Sequence, residues 1–154
     1  MLFIRHATTT PGVGDPQGFR LDDCASQRNL SRDGQEEARR LGEALRRQKV
    51  PIGAVVSSPW CRCTETAQLA FGRVDEKWDA LGNLFGRAPN ADAQVKAMQP
   101  RIAGYRGKEN LVLVSHGSTA YALAGLSPRQ AEVLVLTPLG KDGFRVAGRL
   151  GPLR

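Results

Sequence analysis

Histidine is nearly absent from this chain. There are two, His6 and His116, in 154 residues. Cysteine occurs three times, at Cys24, Cys61 and Cys63. No two cysteines have C-x-x-C spacing, and no carboxylate joins the histidines at metal-ligand spacing, which argues against a zinc site. Cys61 and Cys63 are too close to bond each other. In a reducing cytosol all three act as small buried fillers, and in an oxidising compartment Cys24 can bridge to one of the other two. The apolar runs are about five residues long, against the ~20 needed to cross a bilayer, so no membrane span is expected. No signal-peptide pattern is present. Acidic residues are the scarcer charge, 15 against 22 basic, for a net +7. The basic residues are dispersed. The densest group, Arg39, Arg40, Arg46 and Arg47, reads as the solvated face of a helix, with no interleaved aromatics to stack bases. Nucleic acid is therefore not an expected partner.

What remains is the composition of an ordinary globular protein, 41% hydrophobic and 24% charged. A chain of this length is expected to form a single domain over 1–154. Short apolar strands are expected at Leu2–Ile4, Ile52–Val56, 74–80, Leu111–Val114, Val133–Leu136 and Phe144–Val146. Between the earlier strands lie helical patterns. One is capped by Ser31 and stops before Pro51, with Asp33, Glu36 and Glu37 early and Arg46, Arg47 and Lys49 late. Others begin near Pro59, Ala91 and Ser118. Alternating strands and helices predict an α/β three-layer sandwich, a mainly parallel sheet with helices on both faces. Residues 7–30 show no periodicity, and a loop of that length usually has a function.

Both histidines stand just past an apolar strand, in LFIRHATT (2–9) and VLVSHGST (112–119). A third strand end, VVSSPWCRC (55–63), carries Arg62. Ligands of open α/β sheets bind at the carboxyl ends of strands. Two histidines with Arg5 and Arg62 suit a phosphoryl group. Guanidinium forks bind its oxygens at two points, and a neutral imidazole nitrogen can attack phosphorus. Nearby arginines would help keep that imidazole neutral. Gly117 would let helix-terminal N–H groups come close to the anion. No metal or other cofactor is required by this chemistry.

These motifs, in this order, resemble the histidine phosphatase superfamily, the phosphoglycerate-mutase-like fold. IRHATT resembles its opening Arg-His-Gly-x-Thr, with Ala7 for the glycine and Thr9 on the threonine position. NLSRDGQEEA (29–38), SSPWCRCTETA (57–67) and VSHGST resemble its later motifs. The resemblance implies a phosphate monoester hydrolase in which His6 is phosphorylated and Arg5, Arg62 and His116 hold the phosphoryl oxygens. Thr9, Gly117 and Ser118 complete the implied binding set. FRLDDCASQRNLS and SPWCRC are most similar to small bacterial members related to lipopolysaccharide core heptose phosphate phosphatases. That implies a phosphorylated small molecule such as a sugar phosphate, or inorganic phosphate, as ligand. Many such relatives carry an export segment. The chain as written implies the cytoplasm, and a preceding export segment would imply the periplasm. The superfamily's glutamate acid is missing, since four residues before Gly86 stands Gly82. Asp79 is the nearest carboxylate, with Asp15, Asp22 and Asp23 as loop alternatives. The small phosphohistidine phosphatases of this fold work without that acid, so a protein phosphohistidine phosphatase is an alternative expectation. A non-catalytic binder of phosphorylated ligands is another.

Overall fold

The computed structural model describes residues 1–153. Its centre is a six-stranded sheet: β1 (Leu2–Arg5), β2 (Ile52–Ser57), β3 (Glu76–Lys77), β4 (Asn110–Ser115), β5 (Val133–Pro138) and β6 (Phe144–Leu150), in the order β3-β2-β4-β1-β5-β6. The pairs β2·β3, β2·β4 and β1·β4 are parallel, while β5 runs antiparallel to both its neighbours. Five of the six strands therefore point the same way, in agreement with the expected mainly parallel sheet. Four helices cover it: α1 (Arg32–Arg47), α2 (Cys61–Phe71), α3 (Ala91–Ala103) and α4 (Gly117–Ala124).

The apolar runs of β1 and β4 follow from this position. A central parallel strand is covered on both faces, so consecutive side chains are all buried. Leu2, Ile4, Val112 and Val114 pack with Leu41, Leu45 and Ala67 of α1 and α2. The alternate residues Phe3, Leu111 and Leu113 pack with Met98 and Ile102 of α3 and Leu123 of α4. On α1, Ala38, Leu41 and Leu45 are buried while Arg39, Arg40, Arg46 and Arg47 are exposed, the solvated face expected of that basic group.

One expected strand differs from the structure, and the expected loop holds more contacts than its sequence suggests. The strand expected over 74–80 is reduced to Glu76–Lys77 and gives way to a 3-10 turn at Asp79–Leu81, because β3 is the sheet edge and Trp78 and Ala80 turn to the core under α3. Residues 7–30 form no helix beyond a 3-10 turn at Cys24–Ser26, yet they are tied down. Thr9 bridges to Leu30, Gln27 accepts the Cys61 N–H at 3.0 Å, and a Cys24–Cys61 disulfide joins the loop to the start of α2. Cys63 remains a buried free thiol. No helix of the described residues is long and apolar enough to cross a membrane.

Candidate active site

β1 and β4 are neighbours in parallel register, with Arg5 opposite Ser115. The residue following each strand end is a histidine, and the His6 N–H donates to the Ser115 carbonyl at 2.9 Å. The sheet therefore brings His6 and His116 side by side, ring centroids 5.5 Å apart and edge to face. β2, on the other side of β4, ends at Ser57 and leads into α2, whose first turn carries Arg62. These residues converge on a cavity of about 560 Å³ lined by Arg5, His6, Arg28, Arg62, His116 and Gly117 among others. All three strand-end motifs thus meet in one place.

His6 is 3% exposed. Its Nδ1 lies 2.8 Å from the Ala7 carbonyl. A carbonyl only accepts, so Nδ1 carries the proton and Nε2 keeps its lone pair. Burial pulls the His6 pKa down to about 3, opposed by the bond to Ala7 and reinforced by Arg62, Arg5 and Arg28. The imidazole is thereby held neutral. His116 is also driven well below the ordinary value, by burial first and then by His6, Arg62 and Arg5. Its Nε2 is 2.8 Å from Ser58 Oγ. Ser58 Oγ in turn accepts the Trp60 N–H at 3.3 Å. Cys63 Sγ packs 3.4 Å from His116 Nε2, and burial pushes its thiol up to about 12.

The arginines are anchored at one end and open at the other. Arg5 donates from Nη1 to Pro128 O at 2.9 Å, and Arg62 from Nη1 to Asp15 Oδ1 at 2.8 Å. The Nε of each is buried without a hydrogen-bond partner in the protein. A buried unpaired guanidinium N–H costs roughly 1–3 kcal/mol, and both arginines that carry one line the cavity. Gly117 permits this packing, since a Cβ there would lie 3.1 Å from the Arg5 guanidinium. Gly117 and Ser118 begin α4, whose first N–H groups have no intrahelical acceptors.

Arg28 lines the same cavity and was not foreseen. It donates from Nε to Gly14 O at 2.9 Å and from Nη1 to Thr9 Oγ1. Thr9 itself is not in the cavity wall. It is buried behind Arg28 and meets the site through that guanidinium. Among the expected acids, Asp79 is not brought here. It is exposed on its 3-10 turn and lines a separate groove with Trp60, Trp78 and Arg87. The turn after β3 presents Asn83 to the cavity instead, its Oδ1 accepting from Ser118 Oγ at 2.8 Å. Asp15 is buried and fully engaged by the Arg62 guanidinium, the Trp60 indole N–H at 3.1 Å and the Arg28 backbone N–H at 3.1 Å. Burial alone would raise its pKa, but these donors hold it below the usual carboxylate value. Asp22 and Asp23 are turned outward to Arg20. Arg28 had no readable role in sequence, and Asp15, expected only as a loop alternative for the acid, anchors Arg62 instead; both are placed by the course of a loop without periodicity.

Solved structures share this architecture. The protein histidine phosphatase SixA complexed with tungstate superposes with a TM-score of 0.66 at 19% identity, covering 98% of this chain and 96% of its own. A Nakamurella multipartitia structure described as a SixA phosphohistidine phosphatase gives 0.66 at 22% identity, over 99% and 95%. The phosphoserine phosphatase of Entamoeba histolytica bound to phosphoserine gives 0.62 at 14% identity, over 98% and 96%. A search of curated proteins finds no match. Residues 1–85, more than half of the chain, match the family model of branch 1 of the histidine phosphatase superfamily. With both histidines and both expected arginines at one cavity of the matching fold, the chain belongs to the histidine phosphatase superfamily (branch 1), a superfamily of phosphatases.

Proposed function

We propose that this protein hydrolyses a phosphate monoester without a metal, through a phosphohistidine on His6. The observation that carries the reading is the pairing of a neutral, single-tautomer imidazole with two buried guanidinium N–H groups that lack partners. His6 Nε2 attacks phosphorus in line with the leaving oxygen. The P–O bond breaks and the phosphoryl group passes to Nε2. Arg5, Arg62, Arg28, His116 and the N–H groups of Gly117 and Ser118 surround the three equatorial oxygens. Their charges are fixed before the substrate arrives, the arrangement that electrostatic catalysis requires. Water then cleaves the P–N bond and restores His6.

The small bacterial heptose-phosphate relatives, resembled through FRLDDCASQRNLS and SPWCRC, support a phosphorylated small molecule such as a sugar phosphate as the substrate. The similarity to SixA structures favours a second reading, a phosphohistidine side chain of a protein as substrate. Its nitrogen leaving group needs little protonation, which fits a cavity to which Asp79 does not reach. The Cys24–Cys61 disulfide supports the periplasm as the compartment, since such bonds persist where the surroundings are oxidising.

The test is a panel of phosphate esters and a phosphohistidine peptide, assayed with chelator present. Turnover is expected to persist, and an alkaline quench is expected to trap phosphohistidine. His6→Ala should lose at least ~10²-fold in kcat and yield no trapped adduct. A His6→Ala enzyme retaining over about a tenth of wild-type kcat would overturn the assignment.

A further inference from the structure

Glu37 is the one carboxylate among the residues that line the active-site cavity. It projects from the second turn of α1, and its Oε2 accepts two hydrogen bonds from Thr8, the backbone N–H at 3.0 Å and Oγ1–H at 2.7 Å. Thr8 follows His6 by two residues. Both donors converge on one oxygen, which leaves Oε1 without a hydrogen-bond partner among the described residues. The helix that carries it is itself fastened to the same segment. Ser31 caps it, and the Ser31 N–H donates to Thr8 O at 3.0 Å. A carboxylate fastened through one oxygen to the segment that follows His6, at the wall of the same cavity, keeps its other oxygen available as a proton acceptor. If Glu37 served only to hold Thr8, an amide oxygen would accept the same two bonds and no charge would be needed.

We infer that Glu37 is the base for the second half of the reaction, and the inference rests on the phosphohistidine reading above. A water molecule attacks the phosphorus of phosphorylated His6. The new O–P bond forms as the P–N bond breaks, and the bonding pair returns to Nε2. The water proton goes to Glu37 Oε1, from which it later passes to solvent. Formation of the adduct does not use Glu37, so leaving groups that need no proton still react.

Glu37→Gln tests this, because the amide preserves both bonds to Thr8. A positioned base contributes roughly 10²–10⁴-fold to its own step, so hydrolysis of the adduct, followed in a single turnover, should slow at least ~10²-fold, and kcat on p-nitrophenyl phosphate should fall as that step becomes limiting. KM should fall with it, leaving kcat/KM unchanged, because formation of the adduct is untouched. Alkali-quenched Glu37→Gln should accumulate phosphohistidine where the wild type holds little. Wild-type kcat in Glu37→Gln, or a fall in kcat/KM without trapped adduct, would overturn the inference. Should Glu37→Gln melt early, Glu37→Ala with added formate takes its place. Recovery of kcat at an unchanged melting temperature is expected, and no recovery counts against the base. If wild type and variant both turn over and neither ever yields phosphohistidine, the covalent reading itself falls. If the wild type is trapped and Glu37→Gln turns over normally, only the role of Glu37 falls.

Discussion

At the scale of single residues, the two histidines make the protein sensitive to acid in a specific window. The unfolded chain binds a proton at each near pH 6.5, whereas buried His6 does so only near 3 and His116 well below its ordinary value. A lowered folded-state pKa means that the unfolded state binds more protons, so stability rises with pH between those limits and is lost as pH falls from about 6.5. The slope is on the order of 1 kcal/mol per pH unit for each histidine. Urea midpoints at pH 7 and pH 5 should therefore differ clearly in the wild type and by about half as much in His116→Gln. An equal drop in both would mean that other groups carry the acid limb. The same four residues that set this behaviour, Arg5, His6, Arg62 and His116, were legible in sequence because each ends a strand, follows one directly or stands in the first helical turn after it. Glu37 was legible only as a helix-start charge. Its access to the cavity depends on how closely α1 sits on Thr8, which no pattern of residues announces. Asp79 misled for the converse reason: it is near in sequence to the turn that faces the cavity, yet three 3-10 residues turn it away.

At the scale of elements, α1 depends on two bare backbone contacts. A Cβ on Gly34 would lie 1.9 Å from Thr8 O, and one on Gly42 would lie 2.0 Å from Ala70 O. Both neighbours are backbone and cannot step aside. Gly34→Ala must push α1 off the loop that follows His6, at a cost of about 1–3 kcal/mol or more for overpacking. The expected result is a lower melting temperature together with a loss of kcat larger than that of Gly42→Ala, whose clash is with α2 about two turns further along the helix. Equal activity in the two variants would show that α1 does not set the loop that follows His6. The helix was readable from Ser31, Leu41, Leu45 and Pro51, and the central strands from unbroken apolar runs. β3 was not, because a two-residue edge strand carries no period to read. The long loop's contacts were not readable either, since hydrogen bonds such as Gln27 to Cys61 N–H join residues far apart in sequence.

At the scale of the whole molecule, the disulfide closes a loop spanning 37 positions that contains all of α1. Loop-closure entropy for that span is worth ~4 kcal/mol. Cys24 is exposed, so reductant has access to the bond. Reduction should lower the melting temperature by on the order of 10 °C for a chain of this size. It should also weaken phosphate binding, because Asp15, Gln27 and Arg28 all belong to the tethered loop. An unchanged melting temperature after verified reduction would show that noncovalent contacts alone hold the loop. The histidine pair depends on none of this. Its 5.5 Å separation is close to the ~4.8 Å spacing between neighbouring strands, the repeat distance of the sheet itself. The histidine pair is thus a by-product of forming β1 beside β4, whereas the seats of the guanidiniums are set by the 7–30 segment, with Asp15 on Arg62 and Thr9 on Arg28. Ring spacing and guanidinium placement are therefore inherited from different parts of the chain: exchanging the 7–30 segment would leave the two rings one strand apart but would unseat the arginines beside them.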